Sequence, residues 1–286
     1  MRRLIIALGL IAASGAASAQ EFELPTLRGS EPFVPAASVG CSCWDGFYAG
    51  AQVGYGFGSM DFATSTRSLV SHMLRELALE AEQFPSTWEV LGKVDTHGAS
   101  AGGFFGYNIG WESVILGFEL NYSRLKIGAD APQLPIERVA VAGGNVYDVT
   151  INGAASMRMS DLLTLRARAG YEVYNFLPYV MIGVAAARAD LAHSATVSGQ
   201  QNPPPPTVPV TPCGPPASPN CVPFSFSESE SKNGAFLYGW ALGGGFEVLV
   251  MPHVFLRAEY EYVAFVPTWG IKPSLMTGRA GVGFKF

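Results

Sequence analysis

Residues 274–286 read SLMTGRAGVGFKF, and this C-terminal stretch indicates the fold more clearly than any other part of the chain. Counted back from Phe286, every second residue is apolar or small, whereas Arg279 and Lys285 occupy positions between them. Successive side chains of a β-strand point to opposite faces, so this strand has one apolar face and one face of cations and glycines. The apolar face carries the terminal Phe286, which favours a strand with lipid outside and a polar lumen inside.

The same alternation recurs in other segments of strand length. Eight strands are predicted, near 47–58, 98–111, 114–127, 161–174, 178–191, 236–249, 253–265 and 274–286. Short connections at 112–113, 175–177 and 250–252 alternate with longer ones at 59–97, 128–160, 192–235 and 266–273. Short turns face the periplasm and long loops face outward in bacterial barrels. The sequence therefore predicts an all-β fold, an eight-stranded antiparallel up-and-down transmembrane β-barrel with long outer loops and both termini in the periplasm.

The composition agrees with membrane strands and disagrees with membrane helices. Hydrophobic residues make up 49% of the chain and charged residues 14%, yet no apolar run after the N-terminal region has the length of a helical span. The formal net charge of −5 provides no basic surface, so no nucleic-acid partner is expected.

The N-terminal residues have the three parts of a secretory signal. A basic start, an apolar run at 4–13 and a small-residue triplet at 17–19 follow one another, which predicts a signal peptide over residues 1–19. Residues 20–46 are then a periplasmic segment, and residues 47–286 form the barrel domain. Lipidation at Cys41 is the alternative.

The inward face of the predicted strands carries equal numbers of acids and bases. They are Glu119, Glu172, Glu247, Glu259, Glu261, Arg166, Arg168, Arg257, Arg279 and Lys285. An eight-stranded barrel is only wide enough for its own side chains. Because buried charges cost several kcal/mol each unless they are paired, the balance predicts an ion-pair network that plugs the lumen. A narrow or gated diffusion channel is the alternative.

The cysteines divide into two pairs on opposite sides of the membrane. Cys213 and Cys221 lie in one long outer connection, within a proline-rich stretch, and are predicted to form a disulfide because the compartment is oxidising. Cys41 and Cys43 precede the first strand, too far away for cross-pairing. Three alternatives stay open for Cys41 and Cys43: a metal-binding thiol pair, an intermolecular disulfide, or two plain thiols.

The first predicted outer loop, residues 59–97, contains a helical pattern. Residues 68–83 place one apolar stripe opposite a charged face. The stripe consists of Leu69, Val70, Met73, Leu74, Leu77 and Ala81. The pattern predicts an amphipathic helix that rests on the barrel rim, or else one that docks a partner or lipid headgroups.

Three stretches together resemble a known family: residues 44–50 (WDGFYAG), 102–126 (GGFFGYNIGWESVILGFELNYSRLK) and 278–286 (GRAGVGFKF). They are similar to the small outer-membrane β-barrels of Gram-negative bacteria, the OmpA-like or opacity-type barrels that are often called outer-membrane immunogenic or porin-family proteins. The resemblance implies a surface antigen and envelope-integrity component, surrounded by outer-membrane lipid and lipopolysaccharide. An extracellular ligand of the outer loops is left open. In such families the last strand is read by the barrel-assembly machinery, which here implies Gly281, Val282, Phe284 and Phe286.

Some small outer-membrane barrels are lipid-modifying enzymes that use a Ser and a His, so this class must be considered. The chain has four histidines, and His193 is followed by Ser194. Adjacent strand residues point to opposite faces, so His193 cannot activate that hydroxyl, and Asp190 also falls on the face opposite His193. No catalytic residue, cofactor or metal site is predicted.

Overall fold

The computed structural model describes residues 44–133, 135–202 and 221–286, and nine strands lie in these ranges. The strands are β1 (Gly46–Asp61), β2 (Lys93–Trp111), β3 (Val114–Asp130), β4 (Ile136–Ala142), β5 (Asn145–Tyr171), β6 (Phe176–Asn202), β7 (Val222–Met251), β8 (Val254–Phe265) and β9 (Lys272–Lys285). Two helices, α1 (Arg67–Leu74) and α2 (Ala78–Gln83), and a 3-10 turn (Pro85–Thr87) lie between β1 and β2.

Eight of these strands form a closed ring. The order is β1, β2, β3, β5, β6, β7, β8 and β9, and every neighbouring pair is antiparallel. The last strand pairs with the first, with Gly50 opposite Gly283, which closes the ring. β4 pairs with β5 alone and forms a hairpin above the ring. The predicted eight-stranded antiparallel architecture is confirmed, and β4 is an addition that the sequence pattern did not indicate.

Three strands are far longer than predicted. β5 and β6 have 27 residues each and β7 has 30, so the expectation of loops at 145–160, 192–202 and 222–235 was wrong. These extensions continue the ring wall beyond the end at which β8 and β9 meet. We call the half of the ring next to the short turns the lower half and the extended half the upper half.

The side-chain pattern inverts between the two halves, which explains why the extensions were missed. In the lower part of β5, Leu165 points outward and is 53% exposed, whereas Arg166 points inward and is buried. A β-bulge shifts the register between Met159 and Asp161. Above it the inward side chains are apolar and buried, as at Ile151, and the outward ones are polar. The lower half therefore suits lipid outside and charges inside, and the upper half suits water outside and an apolar core inside.

The connection between β1 and β2 closes the upper opening of the ring. The predicted helix is divided into α1 and α2, because Leu77 adopts an extended conformation between them. Leu69, Val70 and Leu74 are buried as the stripe predicted, whereas Ala81 is exposed and Leu79 is buried in its place. The helices pack onto the apolar core of the upper half rather than on the outer surface of the rim.

Several sequence-based predictions fall outside the described residues. These are the signal peptide at 1–19, residues 20–43 of the periplasmic segment, Cys41, Cys43 and Cys213. Cys221 is disulfide-bonded, and its pairing with Cys213 stays a prediction. Among the described residues, no helix has both the length and the apolar character needed to cross a membrane.

Candidate functional site

The lower half of the lumen contains a compact cluster of charged side chains, each at most 6% exposed. Its members, which we call the lumen cluster, are Glu119, Arg166, Arg168, Glu247, Arg257, Glu259, Glu261 and Arg279. Four carboxylates and four guanidinium groups give the cluster no net charge. The remaining two predicted members, Glu172 and Lys285, occupy inward positions nearer the short turns and are partly exposed.

Glu119 on β3 is the centre of the cluster. Its carboxylate accepts hydrogen bonds from Arg166, from Arg257 at 2.7 Å and from Arg168 at 3.4 Å. The Tyr48 hydroxyl donates a further bond of 2.8 Å to Glu119. β3 and β8 lie on opposite sides of the ring, so the contact between Glu119 and Arg257 crosses the whole lumen. One carboxylate thus connects three cations from two sides of the barrel.

Glu247 pairs with two of the same arginines, Arg168 and Arg257. Arg168 binds Glu247 through two parallel hydrogen bonds of 2.8 and 2.7 Å, which is the strongest arrangement for a guanidinium and a carboxylate. Arg257 Nε donates to the same Glu247 at 2.8 Å.

Glu259 and Glu261 share their two cations in the same manner. Arg166 contacts both carboxylates at 3.0 Å, and Arg279 contacts them at 2.8 and 2.5 Å. Arg279 lies directly opposite Glu259 in the pairing of β8 with β9. Every acid in the cluster therefore has at least two cationic neighbours, which offsets the cost of removing these charges from water.

Neutral polar side chains extend the cluster upward. Gln52 donates to Asn121 at 3.0 Å and to Ser123 at 3.2 Å, and Arg279 reaches Asn121 at 3.4 Å. All three neutral residues are buried. The polar contacts thus continue from β9 to β1 and β3 and occupy the section of the lumen between the charges and the apolar core.

An aromatic layer closes the lumen below the charges. It consists of Trp44, Tyr48, Phe104 and Phe255, packed with Ile115 and Leu177. The Arg257 guanidinium lies 3.7 Å from the centre of the Phe104 ring, so the two layers are in contact. Gly106 leaves the room that this layer needs, since a Cβ atom there would lie 2.3 Å from the Tyr48 hydroxyl.

Sequence reasoning missed two tyrosines that take part in the cluster. Tyr48 donates to Glu119, and the Tyr179 hydroxyl donates to Glu259 at 2.9 Å. The alternation of side chains along each strand places both tyrosines inside the barrel, and that signal could have identified them. They were missed because the predicted cluster was built from charged residues alone.

In the described part of the chain, the contacts of His193 are structural. His193 is buried, with Nδ1 2.7 Å from the Ser65 carbonyl oxygen and Nε2 3.2 Å from Glu230. Its ring stacks on Trp269 at 5.0 Å. His193 thus joins three upper segments, and Ser194 points away from it as parity requires. Within the described ranges, no group of three or more His, Cys, Asp or Glu side chains is arranged to hold a metal ion.

Comparison with known proteins decides the family. The family model described as the outer membrane protein beta-barrel domain matches residues 5–286. The chain belongs to this family. A 25 kDa outer-membrane immunogenic protein of Brucella ovis is 23% identical over 245 residues, which cover 85% of this chain and 78% of that protein.

Two solved structures of outer-membrane barrels also align with the chain. Neisserial surface protein A aligns with 84% of this chain and 97% of its own, at 14% identity and a TM-score of 0.37. Ail of Yersinia pestis aligns with 84% and 99%, at 12% identity and a TM-score of 0.30.

Membership of the outer membrane β-barrel family fixes the surroundings of the molecule. The predicted location in the Gram-negative outer membrane is confirmed, so the outward apolar surface of the lower half faces lipid. Short turns of bacterial barrels face the periplasm, so the connection lengths predict that the extended half rises from the outer leaflet, and this orientation stays a prediction. Val282 and Phe284 of β9 and Phe286 directly after it lie on the lipid-facing side and are 47–71% exposed, whereas Gly281 lies inward. Their reading by the assembly machinery stays a prediction.

Proposed function

We propose that this protein is a structural surface barrel of the outer membrane, whose lumen is plugged by the lumen cluster and whose extended upper half presents a surface to the exterior. The observation that carries the proposal is the complete pairing of eight buried charges across the lumen. An open pore requires water along its axis, and here that space contains side chains bonded to one another. Buried charges of this kind fix the relative positions of the strands that carry them.

Two further layers support a closed barrel. The aromatic layer lies on the periplasmic side of the cluster, and the apolar core of the upper half lies on the other side, covered by α1 and α2. An ion that crosses the barrel would have to pass one charged and two apolar layers. Apolar constrictions exclude ions because the ions would lose their hydration shell there.

The surface role rests on the upper half. β5, β6 and β7 carry polar side chains outward beyond the lipid-facing band, and the Brucella ovis relative is named an immunogenic protein. Nothing in the arrangement of the described histidines favours catalysis, so we propose no enzymatic activity.

Recordings from purified protein in planar lipid bilayers test the plug. We expect no steady conductance from the wild type, because all three layers are filled. The lipid-facing substitution Ala258→Leu is the matched control and should also be silent. Steady, stepwise conductance from the wild type would replace the plug with a diffusion channel.

A deletion strain tests the envelope role. We expect loss of the protein to increase sensitivity to detergent, and wild-type protein to restore resistance. Glu119→Gln, which unbalances the lumen cluster, should restore less resistance than Asp130→Asn, which alters an exposed ion pair 3.3 Å long. A deletion strain that is as resistant as its parent would contradict the role in envelope integrity.

A further inference from the structure

The outer surface of β3, β5 and β6 carries a row of charges immediately above the lipid-facing band. Arg124 on β3 lies directly opposite Asp161 on β5, and Asp161 lies directly opposite Arg188 on β6. All three side chains point outward, because the inward residues beside them, Ser123 and Leu162, are buried. Neighbouring strands are about 4.8 Å apart, so the two arginines are roughly 10 Å apart along this row.

The central carboxylate is held by neutral donors rather than by the arginines. The Tyr122 hydroxyl donates to one Asp161 oxygen at 2.7 Å, and the Ser160 hydroxyl donates to the other at 2.6 Å. Arg124 and Arg188 both interact electrostatically with this carboxylate, but neither forms an ion pair with it. Lys126 follows two residues after Arg124 on the same face and is exposed. Asp190 follows two residues after Arg188 on the same exposed face and accepts a hydrogen bond of 2.7 Å from the Gly234 backbone N–H. Three cations and two acids give this patch a net charge of +1.

These cations are free to meet an external anion. Within the described ranges, the ion pairs outside the lumen are those of His72, Arg75, Arg158 and His193, so Arg124, Lys126 and Arg188 are in none of them. The Arg188 side chain lies over Gly234, where a Cβ atom would be 3.1 Å from its guanidinium nitrogens. A glycine at this point leaves room for the guanidinium to lie close to the strand.

The surface below the row is suited to acyl chains. Tyr122 is 45% exposed, and Leu163 and Val184 below Asp161 and Arg188 are also exposed. They begin the apolar band that runs down to the periplasmic turns. A ligand on this face would therefore meet cations at the level of the headgroups and apolar side chains at the level of the hydrocarbon.

The opposite side of the barrel differs at the same place. The outward residues that follow the band on β1, β8 and β9 are Ser59, Ala264 and Ser274, which carry no charge. Further from the band, Lys93, Asp61 and Lys272 form a second row of cation, acid and cation across β2, β1 and β9. This second row has the same order of charges but is separated from the apolar band by Ser59 and Ser274.

We propose that Arg124, Lys126 and Arg188 form a binding site for the phosphate groups of the phosphorylated glycolipid in the outer leaflet, whose acyl chains lie along Tyr122, Leu163 and Val184. Guanidinium groups suit phosphate because their planar N–H donors match its oxygens. Asp161, held by Tyr122 and Ser160, lies between the two arginines and offsets part of their charge, and the net positive charge that remains attracts the ligand. The proposal gives the position at which the expected lipopolysaccharide contacts the barrel. It depends on the outer-membrane location and not on the plugged lumen.

The test measures lipid bound to purified barrel in detergent by native mass spectrometry. The probes are a rough lipopolysaccharide with its phosphates, the same glycolipid after enzymatic removal of the phosphates, and phosphatidylglycerol. We expect the wild type to bind the phosphorylated glycolipid at least tenfold more tightly than either other probe. Equal binding of the dephosphorylated glycolipid or of phosphatidylglycerol would overturn the proposal, and this comparison needs no variant.

A matched pair of double variants locates the site. Each cation near an anionic lipid surface contributes about fivefold in affinity, so Arg124→Gln with Arg188→Gln should weaken binding about 25-fold. Lys93→Gln with Lys272→Gln removes the same charge from the second row and should change affinity less than twofold. All four side chains point outward, and a heat-dependent shift in gel mobility will verify the fold of both variants. Equal losses in the two variants would show a general charge effect and refute the site.

Discussion

Replacing Glu119 with Gln tests whether the lumen cluster stabilises the barrel. The substitution preserves size and shape but removes one negative charge that contacts Arg166, Arg168 and Arg257. The cluster then has one cation in excess, inside a space that is at most 6% exposed at each member. Removing one partner of a buried ion pair costs about 3–5 kcal/mol, because the remaining charge has lost its solvent and its partner.

The cost should lie at the lower end of that range, near 3 kcal/mol. Each of the three arginines retains another acid, because Arg166 contacts Glu259 and Glu261, and the other two contact Glu247. Equilibrium unfolding in urea, with the barrel in lipid vesicles and followed by tryptophan fluorescence, measures this difference. Asp130→Asn is the control, since its ion pair with Arg158 is exposed and should contribute less than about 1 kcal/mol.

A second substitution separates charge balance from local packing. Arg257→Met in the Glu119→Gln background removes the excess cation. Arg168 then stays paired with Glu247, while Arg166 and Arg279 stay paired with Glu259 and Glu261. We expect the double variant to recover about half of the lost stability, because no unpaired charge remains. Were Glu119→Gln no more destabilising than Asp130→Asn, the argument that these buried charges hold the barrel together would be refuted.

Three further predictions concern the lumen and the fold. Arg279→Ala should lower the unfolding free energy by about 3 kcal/mol because it leaves Glu259 and Glu261 with fewer cations, whereas the lipid-facing Ala258→Leu should change it little in the same urea titration. Gly106→Ala should cost about 1–3 kcal/mol by displacing the Tyr48 hydroxyl, and Gly278→Ala, where a Cβ atom meets nothing within 4 Å, should be neutral. Unboiled protein should migrate differently from boiled protein on an SDS gel, because the closed ring satisfies its backbone groups internally; identical migration would contradict closure.

The alternation of side chains by itself predicted the eight-stranded ring and the direction of its charged residues. A period of two is a local property, since each strand residue points opposite to its neighbours whatever the rest of the fold does. The parity of Glu119, Arg166 and Arg257 could therefore be read from the sequence. The extended parts of β5 and β6 have the same period, but their apolar side chains point inward and their polar ones outward, and the extended part of β7 is polar on its outward face and carries Glu228 and Glu230 on its inward face. A search for lipid-facing strands assigned them to loops for that reason.

Contacts across the lumen were decided only by the tertiary structure. Glu119 and Arg257 are 138 positions apart, and their contact depends on which strands face each other after the ring closes and on the register of every pair between them. The division of the helix at Leu77 and the contacts of His193 with three upper segments depend on the space above the ring, which no single strand specifies. The sequence determined the polarity of each face of each strand because that property is local, whereas closure of the ring determined the partners.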